Sequence, residues 1–167
     1  MFWRIAGPVA AVALLVAAAP AKGSPPDAES GWRAARFGMT PGEVVAAFPG
    51  EAFLLEPPVN LPDGNVVAAG IDKLAWEGLA FNVRFVFTGG KLSLVSLRTP
   101  QDRYVEPEAY VRLRDALVKR WGAPLETSTD DAFIDVRQTR WDRGASHTDL
   151  KYIPGVVAVV YYPLSKP

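Results

Sequence analysis

Leu79, Phe81, Val83, Phe85 and Phe87 alternate without a break with Ala80, Asn82, Arg84, Val86 and Thr88. In an extended chain every second side chain points to the same side of a sheet. Such a stretch fixes a strand with one large apolar face, and that face needs a second layer to bury it. Glu77-Gly78 and Gly89-Gly90 bound the stretch as hairpin turns. Val66 to Trp76 and Lys91 to Arg98 then read as its neighbours in an antiparallel meander.

A second region repeats this plan. Phe133 to Trp141, Ala145 to Ile153 and Val156 to Tyr162 read as strands, with turns at Asp142-Arg143-Gly144 and Pro154-Gly155. Trp76 precedes Gly89 by 13 residues and Trp141 precedes Pro154 by 13, so one offset of 65 relates both pairs. A helix leads each meander. In the first, Thr40 caps the N-terminus, Glu43 completes a capping box, Pro41 takes the first helical position and Pro49-Gly50 ends the helix. The second runs from Pro107 to Trp121, with Tyr110, Leu113, Leu117 and Trp121 on one stripe and Gly122 and Pro124 as stops. The expected fold is α+β: two tandem units, about 37–99 and 104–165, each a helix plus a three-stranded antiparallel meander, with the helices on one face. One unit of roughly 60 residues buries too little surface to stand alone, whereas two can share a core. Between the first helix and its meander, Phe53, Leu54, Leu55, Val59 and Leu61 are interrupted by Pro57, Pro58 and Pro62. That segment reads as an extended edge or a long apolar loop.

The N-terminus has a separate character. Arg4 precedes an apolar run from Ile5 to Ala19, and Ala19-Pro20-Ala21 is a small-x-small exit. This is the pattern of a signal peptide over residues 1–21; the run is shorter than the roughly 20 residues that cross a bilayer as a helix. Residues 22–31, polar and holding two prolines, read as a flexible leader, and residues 32–167 as a single domain. The expected location is the periplasm or the exterior, with no stable membrane anchor after cleavage. The chain has no cysteine, which excludes a disulfide scaffold, thiol chemistry and a lipid-bearing cysteine. Without residues 1–21 it has seventeen basic and eighteen acidic residues, a net charge of −1, and so offers no electrostatic case for nucleic acid.

Phe37-Gly38-Met39-Thr40-Pro41-Gly42-Glu43-Val44, followed by Phe48-Pro49-Gly50, resembles the helix start of the small outer-membrane-assembly lipoproteins (SmpA/OmlA, or BamE-like). The doubled helix-and-meander plan resembles the secreted β-lactamase inhibitor protein fold. These resemblances imply a tandem α+β protein of the envelope. The missing lipobox cysteine departs from the lipoproteins and puts tethering in doubt.

Catalytic chemistry is sparse in the sequence. A Ser–His–Asp system needs a histidine, and the single one, His147, lies in a strand segment, Ser146-His147-Thr148-Asp149. Asp130, Asp131 and Asp135 form the densest acidic cluster, which reads as a solvated turn rather than a calcium loop. No catalytic residue, metal ligand or cofactor site is therefore expected. The candidate binding residues are Leu54 and Leu55 in the proline-rich segment, Trp76 and Trp141 near the strand ends, and Arg137 and Arg140, since arginine beside aromatics takes anions or sugars. The favoured function is a soluble, non-catalytic interaction protein whose partner is another envelope protein. The alternatives are a carboxylate-using hydrolase of an envelope polymer and a small-ligand binder with a Trp/Arg-lined site.

Overall fold

The computed structural model describes residues 31–130 and 134–164. The signal peptide, nearly all of the leader, Asp131 and Phe133 lie outside the described residues. The fold is α+β, with two helices, an eight-stranded antiparallel sheet and a small two-stranded one.

The chain opens with the small hairpin, β1 (Gly31–Trp32) and β2 (Ala35–Arg36), then α1 (Pro41–Ala47). Four strands follow: β3 (Phe53–Asn60), β4 (Val66–Trp76), β5 (Leu79–Thr88) and β6 (Lys91–Arg98). After α2 (Pro107–Trp121) come β7 (Glu126–Asp130), β8 (Val136–Arg143), β9 (Ser146–Ile153) and β10 (Val156–Pro163). The strand order is β3-β4-β5-β6-β10-β9-β8-β7. The last strands of the two runs, β6 and β10, meet in the middle, and β3 and β7 are the edges.

Two features correct the sequence reading. Each run has four strands, not three, because β3 and β7 each add an edge. Segment 53–60 resolves to the edge-strand alternative. Its register shifts between Leu54 and Val59, around Pro57-Pro58, which have no N–H to give a ladder and are tolerated only at an edge or bulge. The strand expected from Phe133 begins at Val136.

Both helices lie on the same side of the sheet. Phe81, Val83, Phe85 and Phe87 are buried there, as the alternation requires. Trp32 of β1 and Phe48, the C-cap of α1, close over Phe85, with ring centroids 6.0 and 5.8 Å from it. Tyr110, Leu113 and Leu117 of α2 cover the second run beside Leu150, Tyr152 and Val159. One core joins all of these residues.

The capping box on α1 is formed: the Thr40 hydroxyl accepts from the Glu43 N–H and the Glu43 carboxylate accepts from the Thr40 N–H at 2.7 Å. That N–H, and next the Thr40 hydroxyl, pull the Glu43 carboxyl below its ordinary value. The contribution is present at neutral pH and is lost as pH falls through the folded value. Thr40→Ala is expected to lower stability by about 1 kcal/mol; an unchanged urea midpoint would show that the box contributes nothing.

Candidate functional site

The side of the sheet away from the helices carries no covering layer among the described residues. Directly paired residues of neighbouring antiparallel strands share a face, so the register defines what this side presents. One row crosses all eight strands. In the first run it reads Phe53, Gly70, Arg84 and Ser96. It continues through Val160, Asp149, Arg140 and Glu126. At the usual strand spacing the row is about 34 Å long. A second row beside it runs Asn82, Arg98, Ala158, Lys151, Gln138 and Ser128.

Small side chains form the centre of this open face. Ser96, Ala158 and Val160 are half-buried, and the exposed Arg98 stands beside them with no ionic or hydrogen-bonded partner among the described residues. Arg84 lies flat over Gly70, where an added Cβ would come within 2.8 Å of its guanidinium, and donates to Asp72 at 2.8 Å. Glycine at 70 is thus a seat for an arginine.

In the second run the face is organised by a buried carboxylate. Asp149 is 2 % exposed. It accepts from Arg140 Nε at 2.8 Å, Arg140 Nη2 at 3.3 Å, Tyr162 OH at 3.1 Å and Gln138 Nε2 at 3.3 Å, with Lys151 Nζ at 3.6 Å. Asp149 holds the Arg140 guanidinium more firmly protonated, through its hydrogen bonds and then its charge. Burial, then the charge and hydrogen bond of Asp149, raise the Tyr162 hydroxyl above its ordinary value. The His147 ring lies 5.0 Å from the Tyr162 ring, tilted 40° to it, and bonds Asp142 through Nδ1. The product is a hydrogen-bonded cluster of cationic and aromatic side chains beside the small residues at the centre of the face.

The structure divides the residues singled out in the sequence. Arg137 and Trp141 share a strand face, on the helix side, while Arg140 lies on the open side. Trp76 and Trp141 are core residues, 6 % and 2 % exposed; Trp141 meets Trp121 edge-on at 5.6 Å and donates to the Gly122 carbonyl. Leu54 is exposed on β3 on the helix side, paired with Ala69, and Leu55 is half-buried. His147 and Asp149 share the open face, but His147 bonds Asp142 rather than Asp149. Among the described residues no three histidine or carboxylate side chains are gathered to hold a metal ion, and no helix is long and apolar enough to cross a membrane. Arg137 is clamped by Asp135 through two bonds of 2.7 Å, which raise its pKa.

The role of Asp149 went unread in the sequence. A signal existed: the turn is the two residues Gly144-Ala145, and counting back from it places Arg140 opposite Asp149.

No family model, curated protein or solved structure matches this chain. Its own geometry is the ground for any functional reading.

Proposed function

We propose that the chain is an exported, non-catalytic interaction protein of the bacterial cell envelope that takes a protein partner on the open face of its sheet. The single observation that carries this is the row spanning all eight strands on the uncovered side, with small residues at its centre and arginine, tyrosine and histidine around it. Arginine and tyrosine are favoured at protein interfaces because they give large contact area and several hydrogen bonds from few rotatable bonds. Asp149 fixes Arg140 and Tyr162 before any partner arrives, so little ordering entropy remains to be lost on binding.

A duplicated unit is part of the same reading. Each run is a helix followed by four antiparallel strands, and the sheet order reads outward from β6 and β10 in the same sequence on both sides. Trp76 and Trp141 both occupy the second strand of their runs. The two recurring turns, Gly89-Gly90 and Pro154-Gly155, both join the third strand to the fourth.

The test has two arms. Intact mass of the protein recovered from the periplasm is expected to correspond to a chain starting at Lys22; retention of residues 1–21 would overturn export with cleavage. Immobilised wild type is then compared with Arg98→Glu/Ala158→Arg and with Arg112→Glu, on the wet side of α2, for proteins captured from envelope extract. The double variant is expected to lose partners that Arg112→Glu keeps. Equal capture by all three folded proteins would exclude the open face.

A further inference from the structure

On the helix side the sheet is not covered to its edge. α2 packs against β9, and β7 gives it nothing apolar to reach for, since Glu126-Thr127-Ser128-Thr129-Asp130 is exposed throughout. Thr127 and Thr129 point to the helix side, opposite Thr139 and Arg137 of β8. A groove of about 370 Å³ results, lined by Tyr110, Arg114, Thr127, Thr129, Asp135 and Arg137. That volume is in the range of small-ligand sites.

The hydrogen-bonding capacity of the groove is uneven. Arg137 gives Nε and Nη2 to Asp135, and Arg114 gives Nε and Nη2 to Asp115. In both, Nη1 has no side-chain partner among the described residues. The hydroxyls of Thr127 and Thr129 have none either. The Tyr110 hydroxyl is already paired with Thr139 at 2.6 Å, so its ring, not its oxygen, is what the groove offers. Each guanidinium is thus balanced by its own carboxylate, and what the groove keeps to offer a ligand is an excess of donors, the two Nη1 groups and the two threonine hydroxyls. A planar carboxylate suits the arginine edges. The threonine hydroxyls and Asp135 suit vicinal hydroxyls, which both donate and accept. The groove is open along the edge strand, so one residue of a longer chain fits as well as a free sugar.

We propose that this groove binds a carboxylated saccharide, independently of the open face on the other side. The test is a titration of the ¹⁵N-labelled protein, followed by amide shifts, with glucuronate, glucose and inorganic phosphate as separate probes. Glucuronate is expected to give saturable shifts centred on Arg114, Thr127 and Thr129. Glucose and phosphate, each lacking half of the recognised chemistry, are expected to bind at least roughly tenfold more weakly. Arg114→Ala and Thr129→Val alter exposed or half-exposed side chains outside the core, and each is expected to weaken glucuronate severalfold. No saturable shift with glucuronate, or shifts that survive both variants, would overturn the site. Phosphate binding as tightly as glucuronate would overturn the saccharide assignment.

Discussion

Phe85→Ala is expected to remove about 3–5 kcal/mol of folding stability, a large share of the 5–15 kcal/mol typical of a domain. Phe85 is fully buried, and the rings of Trp32 and Phe48 meet over it. It therefore holds three separate pieces: the sheet, the end of α1 and the opening hairpin. Arg33 reinforces the same assembly from outside, lying over Trp32 and Phe48 while paired with Glu51 at 2.8 Å. Chemical denaturation followed by tryptophan fluorescence reads the effect, and Phe85→Leu is expected to recover more than half of the loss. A loss below about 1 kcal/mol for alanine would mean that the aromatic cluster does not hold these pieces together.

Asp149→Ala is the second large effect. It deletes the acceptor for Arg140, Gln138 and Tyr162 at once. Removing one member of a buried charged network usually costs 3–5 kcal/mol. Arg140 is partly exposed, 31 % by side chain, and can regain water, so about 2–3 kcal/mol is expected. Tyr162 gives an independent reading. Two of the three influences that raise its pKa come from Asp149, so the variant's tyrosinate absorbance is expected to appear at lower pH. The sign for stability follows: with a raised folded value, wild-type stability falls as pH climbs past the ordinary tyrosine value near 10, because the unfolded chain ionises first. The variant is expected to lose less over that interval. An unchanged denaturation midpoint with an unchanged alkaline titration would remove Asp149 from its place at the centre of the face.

The strands that sequence made plain are those with one apolar and one wet face. Leu79 to Thr88 alternates because one side of β5 meets the core and the other meets water, and α2 shows its stripe for the same reason. The edges gave no such signal. β7 is Glu-Thr-Ser-Thr-Asp, exposed along its whole length; only its ladder to β8 makes it a strand, and a ladder leaves no trace in side-chain period. β3 hides behind two prolines that an edge tolerates and a central strand would not. The candidate site depends on register more than on pattern. Reading Asp142-Arg143-Gly144 as a three-residue turn sets Arg140 opposite Ser146, three residues away from its observed partner Asp149, and an odd shift turns side chains to the wrong face. With the two-residue turn Gly144-Ala145, Arg140 faces Asp149 and the cluster on the open side follows. The groove beside α2 was beyond sequence because it arises where a helix stops short of an edge.

The union of β6 with β10 bears on how the protein comes into being. Thr99 and Val157, 58 positions apart, hydrogen-bond at this seam, and the strand that completes it, β10, follows β9 in the chain. Until Val156 to Pro163 arrives, β6 and β9 are both bare borders, each with backbone groups ready to pair with any strand within reach. The chain is therefore at its stickiest just before β10 pairs. Assembly waits on a long-range closure, which places it among slow folders, on a scale of milliseconds to seconds. Deletion of Val156–Pro163, at the centre of the sheet, would harm this protein far more than deletion of the edge strand β7.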